Sequence, residues 1–529
     1  PSKLKIRVED TDYASFYDKS INIRQQNGYI LKGKGTETFE CRFAYMGFQF
    51  VRVTADPGVT VERVEAVPVH TDVAEAGRFV CSNDVVNRLQ DMSRASLLNN
   101  FHSIPTDCPH REKQGWTADT YMTDQAAIYN FDMAAFYAKW VEDLAGTQDS
   151  AGGLCTVAPS TGYDQSISTV WPAAIVYVPW DLLAYYGDRR VVERHYETMM
   201  RFAESGLLRQ RDGKPEIIGE VLGDWVSPHM TLSDTLMSYS MAPPEGLTLY
   251  GTASHYRVVR NLAEVARFLG KRDDAVRLDA WADRIARRFN EEFFDAASGI
   301  YHGENPTPYR QAANVVPLEY GLVPEADSAR VLGSLLCDLD GTRDRIGTGF
   351  VGTLSMMELM PRIDPERAYR LATQPDYPGW GFMALSGATT MWETWDGSAS
   401  RNHPPFCLIS AYFYKYLAGI RCDRAYPGFE RFTVDPSVVG DLTFVEAWHD
   451  SPYGRIRSEW RRDGSRLTMK VSVPVGTTAT IGVPTRDAAG VAESGRPVSG
   501  TDGVKFLRAA GGKAFYEVGS GSYVFTSRL

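Results

Sequence analysis

Along the chain the spacing of apolar side chains changes twice. Up to about residue 75 it alternates with a period of two: Tyr29-Ile30-Leu31, residues 37–43, 48–53 and 61–69 are short runs rich in aromatic and β-branched residues, broken by Gly and Asp-Pro-Gly turns. This predicts strands and a β-sandwich-like domain over residues 1–78. At Ser82 the period lengthens to about 3.6. Val85, Val86, Leu89, Met92 and Leu97 then fall on one side of a helix that Ser82 is placed to cap and that runs to about Asn100. Helical spacing dominates to about residue 420, over residues 117–129, 131–145, 171–186, 191–207, 249–269, 273–294, 326–337, 350–360, 365–373 and 405–417. Tyr186-Gly187 and Leu269-Gly270 end two of these as left-handed caps. Strands return from 421 to 529, in residues 444–448, 456–460, 467–473 and 478–483, with Arg462-Asp463-Gly464-Ser465 as one turn.

About a dozen helices joined by long loops fit an (α/α)6 toroid over residues 79–420, whose loops at one end build a central pocket. A helical solenoid is the alternative, although no fixed repeat is visible. The expected fold is therefore multidomain, a toroid flanked by N-terminal and C-terminal β-sandwich domains at 1–78 and 421–529. The length, 529 residues, agrees with two to four domains.

Composition narrows the function. A net charge of -10 without basic runs argues against a nucleic-acid partner. No apolar run approaches the length of a membrane-spanning helix, so no membrane partner is expected. Seven cysteines, an odd number without CxxC spacing, disfavour both a disulfide framework and a zinc site. The chain begins at Pro1 with no signal peptide, which suggests lost upstream sequence and leaves localisation open between cytoplasm and periplasm or export.

The chemistry concentrates in Thr106-Asp107-Cys108-Pro109-His110-Arg111-Glu112-Lys113-Gln114-Gly115-Trp116-Thr117-Ala118-Asp119. Asp107-Cys108-Pro109 reads as a loop, since the residue before proline is pushed out of helical geometry. Three carboxylates thus stand on a loop and the first turn of a helix, around one arginine. Glycosidic bond hydrolysis needs one carboxyl protonated and another ionised. Crowded like charges, with an arginine beside one of them, can set those states apart. The bland alternative is a surface knot of ion pairs. A second carboxylate, Glu393, lies between two tryptophans in Ala388-Thr389-Thr390-Met391-Trp392-Glu393-Thr394-Trp395. On its own that is as readily a core edge with a surface Glu.

The first stretch closely resembles the signature of the α-L-rhamnosidases of glycoside hydrolase family 78, and the second resembles that family's Ala-Thr-Thr-x-Trp-Glu-x-Trp motif. The resemblance spans nearly all of the chain. It implies Glu112 as general acid, Glu393 as general base, and Asp107, Arg111 and Asp119 as sugar-binding groups. Ser400-Arg401-Asn402-His403 is similar to an Asn-His element whose histidine lines the pocket, and Gly223-Asp224-Trp225 to an element with Asp224 as hydroxyl acceptor and Trp225 as packing face. Trp380, in Tyr377-Pro378-Gly379-Trp380-Gly381, is a further wall candidate. Two departures stand out: Ala173 where relatives often carry Asp or Ser, and Pro404-Pro405-Phe406-Cys407 where a less bulky run is usual.

Acidic acceptors (Asp107, Asp119, Asp224) and aromatic faces (Trp116, Trp225, Trp392, Trp395) suit a 6-deoxy sugar with its methyl group and three free hydroxyls. The expectation is an exo-acting, inverting α-L-rhamnosidase. Its partner would be a rhamnose-containing glycoside, oligosaccharide or polysaccharide, with no metal or organic cofactor, in a monomer or homodimer. Rivals are an (α/α)6 hydrolase or lyase acting on a uronic acid, and an inactive carbohydrate-binding protein. The rim loops 150–168 and 227–245 would set the aglycone.

Overall fold

A computed structural model describes residues 3–8, 25–162, 168–206, 210–211, 213–228 and 242–529. Near the N-terminus, β1 (Lys3–Val8), β2 (Gln26–Ile30) and β3 (Val51–Ala55) form an antiparallel sheet in the order β2-β1-β3. The runs expected as strands at 37–43 and 61–69 join no ladder. Val61, Val64, Val67 and Val69 instead present their side chains to solvent. Alternation alone cannot supply a strand with a hydrogen-bonding neighbour.

The next strand, β4 (Gly77–Cys81), crosses the expected domain boundary at residue 78. It pairs antiparallel with a strand near residue 445, Cys81 opposite Val445, and so belongs to the C-terminal sheet.

Among the described residues the helices then follow in series. They are α1 (Asp84–Leu98), α2 (Thr117–Asn130), α3 (Ala134–Ala145), α4 (Ala174–Tyr186), α5 (Arg189–Ser205), α6 (Thr248–Phe268), α7 (Arg272–Phe293), α8 (Gln311–Tyr320), α9 (Glu325–Gly341), α10 (Phe350–Ile363), α11 (Pro365–Thr373), α12 (Trp380–Leu385) and α13 (Leu408–Tyr412). Hairpins β5 (Gln210–Arg211) with β6 (Lys214–Ile218), and β7 (Phe294–Asp295) with β8 (Ile300–Tyr301), decorate their loops. The cap of α1 is Asn83, not Ser82: its Oδ1 accepts from the amides of Val85 and Val86. Helices α8 and α12 escape the periodicity argument, α8 because it holds Pro317 and is buried all along Gln311 to Pro317, polar Gln311 and Asn314 included, so no single apolar stripe shows. The predicted 405–417 helix divides into a 3-10 turn (Pro405–Cys407), α13 and a π turn (Phe413–Leu417).

Packing is regular. Helix α2 lies against α4, α4 against α6, α6 against α8, α8 against α10, α10 against α13, and α13 against α2 again. The intervening helices pack outside this series, α5 and α7 on α6, α9 on α8, α11 on α10. The inner helices are buried nearly all round; in α4 every residue from Ala174 to Tyr185 is buried.

After α13 come β9 (Ile420–Cys422), β10 (Arg431–Val434), β11 (Phe444–Ser451), β12 (Gly454–Asp463), β13 (Arg466–Val473), β14 (Thr478–Pro484), β15 (Ala492–Glu493), β16 (Arg496–Pro497), β17 (Val504–Ala510), β18 (Lys513–Val518) and β19 (Gly521–Arg528). They make a five-stranded sheet, β17-β18-β14-β10-β9, and a seven-stranded sheet, β16-β15-β19-β13-β12-β11-β4. Alternating burial along β11 and β13 gives each strand one core face.

Candidate active site

Asp107 closes the loop between α1 and α2. Its amide donates to the Gln114 carbonyl at 2.9 Å and its Oδ1 accepts from the Gln114 amide at 2.8 Å. Inside that turn the buried Cys108 Sγ accepts from the Glu112 amide at 3.2 Å. Gly115 is required by a close approach: a Cβ there would lie 2.1 Å from the Ala158 carbonyl oxygen. Lys113 sits at φ 56, a left-handed conformation unfavourable for a residue with a Cβ. Its ammonium is anchored by the Tyr45 carbonyl at 2.6 Å and lies 4.4 Å from the centroid of the Tyr45 ring, which stacks on His102. Nearby, a Cβ on Gly47 would come within 2.8 Å of His110. The N-terminal segment, in which the sequence shows no chemical constellation, thus braces the residue next to Glu112.

Glu393 arrives from the far end of the chain on a loop stitched to α1, where the Met391 amide donates to Ser96 Oγ at 2.7 Å. Its own amide donates to the Ser400 carbonyl at 2.7 Å, and the Ser400 amide donates to Glu393 Oε2 at 3.1 Å. Arg111 joins the two halves: Nη2 donates to Glu112 Oε1 at 2.5 Å and to Glu393 Oε2 at 3.2 Å. Because both oxygens share one nitrogen at those distances, they stand no more than 5.7 Å apart. Trp116 Nε1 donates to the other Glu112 oxygen at 2.8 Å. His403 Nε2 lies 3.0 Å from Asp119 Oδ1.

Burial and charge set different proton states. Burial opposes ionisation of Glu393, but His403, Arg111 and the Ser400 bonds outweigh it and hold its carboxyl below the usual range. Burial likewise disfavours the His403 cation, yet Glu393, Asp119 and Asp107 push its pKa up to about 9. Asp107 is raised well above a normal aspartate, first by burial and then by Glu112. Its Oδ2 bonds no group among the described residues. His110 is lowered to about 4 by burial and by the Arg111 charge. The cluster therefore offers an ionised carboxylate backed by cations, a second carboxyl on the same arginine, and a buried aspartate oxygen free to meet a hydroxyl.

Not every residue singled out from the sequence reaches this centre. Asp224 is fully buried, and its oxygens accept from the amides of Gly349 at 2.7 Å and Gly352 at 2.8 Å. It caps α10, with its pKa pushed up to about 7 by burial. The half-buried Trp225 offers its carbonyl to the Phe350 amide at 2.9 Å. Trp380 and Trp395 are buried as well. Their indole N–H groups donate to the carbonyls of Phe406 and Thr348, and their rings pack edge to face 5.2 Å apart. They form a wall behind the site, whereas Trp392 lies beneath the Arg401 guanidinium at 5.5 Å. Phe406, from the departing Pro-Pro run, and Phe350 fill the space below His403. Ala173 is buried in a 3-10 turn (Trp171–Ala173) ahead of α4.

Sequence reasoning missed Tyr45, Lys113, Ser400 and Phe350. Lys113 and Ser400 lie inside motifs of the sequence; Tyr45 and Phe350 carried no local signal. Of the rim loops, residues 163–167 and 229–241 lie outside the described residues. Arg310 ties the second loop's stems together, binding Glu245 at 2.9 Å and the Ser227 hydroxyl.

Comparison with known proteins places the chain. Residues 74–417 match the bacterial α-L-rhamnosidase six-hairpin glycosidase domain, 419–496 the C-terminal domain of those enzymes, and 4–70 their concanavalin-like domain. An α-L-rhamnosidase of Streptomyces avermitilis is 31% identical over 94% of this chain and 46% of its own length. One from Formosa agariphila is 29% identical over 86% and 49%. The structure of the Dictyoglumus thermophilum enzyme superposes with a TM-score of 0.89 at 32% identity, covering 99% of this chain and 59% of that one. The S. avermitilis enzyme complexed with L-rhamnose superposes with a TM-score of 0.85 at 28% identity, covering 99% and 49%. The chain spans about half the length of the curated relatives it matches. With a β-sheet segment, a six-hairpin glycosidase domain and a C-terminal sheet domain in that order, the chain belongs to the bacterial α-L-rhamnosidase family.

Proposed function

We propose that the protein is an exo-acting glycoside hydrolase that releases terminal α-L-rhamnose from glycosides, oligosaccharides or polysaccharides. Its domains would be 1–78, 79–420 and 421–529, with β4 crossing the first boundary to join the C-terminal sheet and the middle domain an (α/α)6 toroid. The closed series of contacts from α2 through α4, α6, α8, α10 and α13 back to α2 supports that architecture. The observation that carries the function is the single Arg111 nitrogen bonded to both Glu112 and Glu393, carboxylates 281 positions apart in the chain.

Glu393, held ionised, is the base that takes a proton from water. Glu112, whose side chain is 14% exposed against 4% for Glu393, is the acid that meets the glycosidic oxygen. Asp107 and Asp119 accept sugar hydroxyls, and Trp116 and Trp392 flank the ring. Inverting pairs stand about 6.5–9.5 Å apart so that water fits between them. The facing oxygens here, bridged by Arg111, are closer than 5.7 Å. Both Glu112 oxygens accept hydrogen bonds here, from Arg111 and from Trp116, so protonating Oε1 requires Arg111 to release it as the sugar enters.

The bound on the facing oxygens also accommodates a second reading, retention, with Glu393 as nucleophile and the carboxyl groups about 5–5.5 Å apart. Proton NMR of p-nitrophenyl α-L-rhamnoside hydrolysis separates the two. Initial β-L-rhamnose establishes inversion, initial α-L-rhamnose retention, and no released rhamnose refutes the activity.

A further inference from the structure

A second cavity, of about 300 Å³, opens away from the carboxylate cluster. Side chains from α2, α4, α6, α8, α10 and α13 line it, together with Arg421, Cys422 and Arg424 at the entry to the C-terminal sheets. Asp124 and Gln125 stand five and six residues beyond Asp119 on α2, which at 1.5 Å per residue places them roughly 8–9 Å further along the helix axis. Glu358 is likewise two turns beyond Phe350 on α10.

The ionic groups around this cavity face one another. Arg424 donates to Asp181 at 2.7 Å, Lys415 to Glu358 at 2.5 Å, Arg421 to Asp435 at 2.8 Å, and Arg257 lies 3.7 Å from Glu319. Charge is matched locally, so the site does not call for an ion. What remains without a hydrogen-bond partner around the cavity, among the described residues, comprises the hydroxyls of Tyr177 and Tyr412, the indole N–H of Trp180, and one atom each of Arg257 and Glu319, whose opposite charges face each other. Asp124 adds one carboxyl oxygen without a partner, on a group that burial and the neighbouring Asp181 push towards its protonated form. Tyr177, Tyr412, Trp180 and Asp124 line the cavity and are more than nine-tenths buried.

A single ordered water needs only about 10–15 Å³ of cavity space, so a cavity of about 300 Å³ has room for a larger molecule. Six unpartnered polar atoms converge on a cavity whose walls include Tyr121, Tyr185, Met357 and Leu408. Aromatic walls with a few convergent donors and acceptors and locally matched charge are what a small, neutral polyhydroxylated molecule requires. We propose that this cavity is a second saccharide site, taking a neutral sugar of monosaccharide size at the end of the helical domain remote from Glu112 and Glu393.

Titration calorimetry of the whole chain with L-rhamnose, and separately with D-glucose, tests this. With at least one of the two, an equivalent of sugar is expected that disappears in Asn261→Trp, which fills the cavity with an indole. In Tyr412→Phe, which deletes one hydroxyl, that equivalent should bind about three- to tenfold more weakly. It is assigned by its response to these variants, not by its number, so failure of the hydrolase reading leaves the test intact. Should Asn261→Trp fail to fold, Tyr412→Phe and crystals grown in each sugar decide. Sugar density in the cavity supports the proposal. Ordered water alone in both crystals, or no equivalent sensitive to either variant, overturns it.

Discussion

Replacing His403 with Gln should change how stability depends on pH, by an amount the structure specifies. His403 is 5% exposed and faces Glu393, Asp119 and Asp107, which raise its pKa from 6.5 to about 9 against the cost of burial. Between two and three pKa units correspond to about 3 kcal/mol of preference for the protonated folded state. Because the folded pKa lies above the unfolded one, that stabilisation is complete below about pH 6.5. It is lost as pH rises through about 9. Urea unfolding of wild type and His403→Gln at pH 6, 8 and 10 isolates the contribution, since the remaining titrating groups largely cancel in the difference. The wild-type advantage should be about 3 kcal/mol larger at pH 6 than at pH 10. Activity should fall over the same alkaline range, as Glu393 loses one of its two cationic neighbours. Parallel stability curves, differing by a constant to within about 0.5 kcal/mol, would refute the assignment of His403 as a buried cation.

Glu112→Gln and Glu393→Gln should each lower kcat by about 10²- to 10⁴-fold on poor leaving groups. Only Glu112→Gln should recover on a dinitrophenyl glycoside, which leaves without a proton; equal losses on both substrates would reject the division of roles. Lys113→Ala keeps a Cβ in left-handed backbone while removing the anchor on Tyr45, so its denaturation midpoint should fall below that of Lys113→Gly, by about 1 kcal/mol. Asp224→Asn sets an amide N–H against a helix N–H and should cost about 1–3 kcal/mol of stability with KM little changed, whereas a sugar-binding Asp224 would raise KM without destabilising.

Much of this was legible because local rules and tertiary packing agree. The amphipathic spacing of α6 and α7, their glycine stop at Gly270 and the alternation of β11 to β14 survive folding almost residue for residue. The carboxylate motif was legible as well, since loop-forming Asp107-Cys108-Pro109 and the helix-opening Trp116 are local signals. What failed depended on distant partners. Asp224, Trp380 and Trp395 have the chemistry of sugar-binding residues, but Gly349, Phe406 and Thr348 lie 125, 26 and 47 positions away and claim their polar atoms first. The valine run at 61–69 has a strand's pattern but no neighbour to pair with. Tyr45 escaped notice because nothing in its own segment reveals that Lys113 folds onto it.

The pairing of β4 with β11 also bears on how the chain is made. Cys81 meets Val445, 364 positions later. At about 5–20 residues per second, a ribosome needs roughly 20–70 s to travel that distance. For that time β4 is an unpaired edge, and the helices are completed before the strand preceding them has anywhere to dock. When β11 arrives, the start and the end of the helical region are stitched into one sheet. A nascent chain released before residue 445 would therefore carry a finished series of helices beside an open strand edge, the form in which this protein would be most exposed to aggregation.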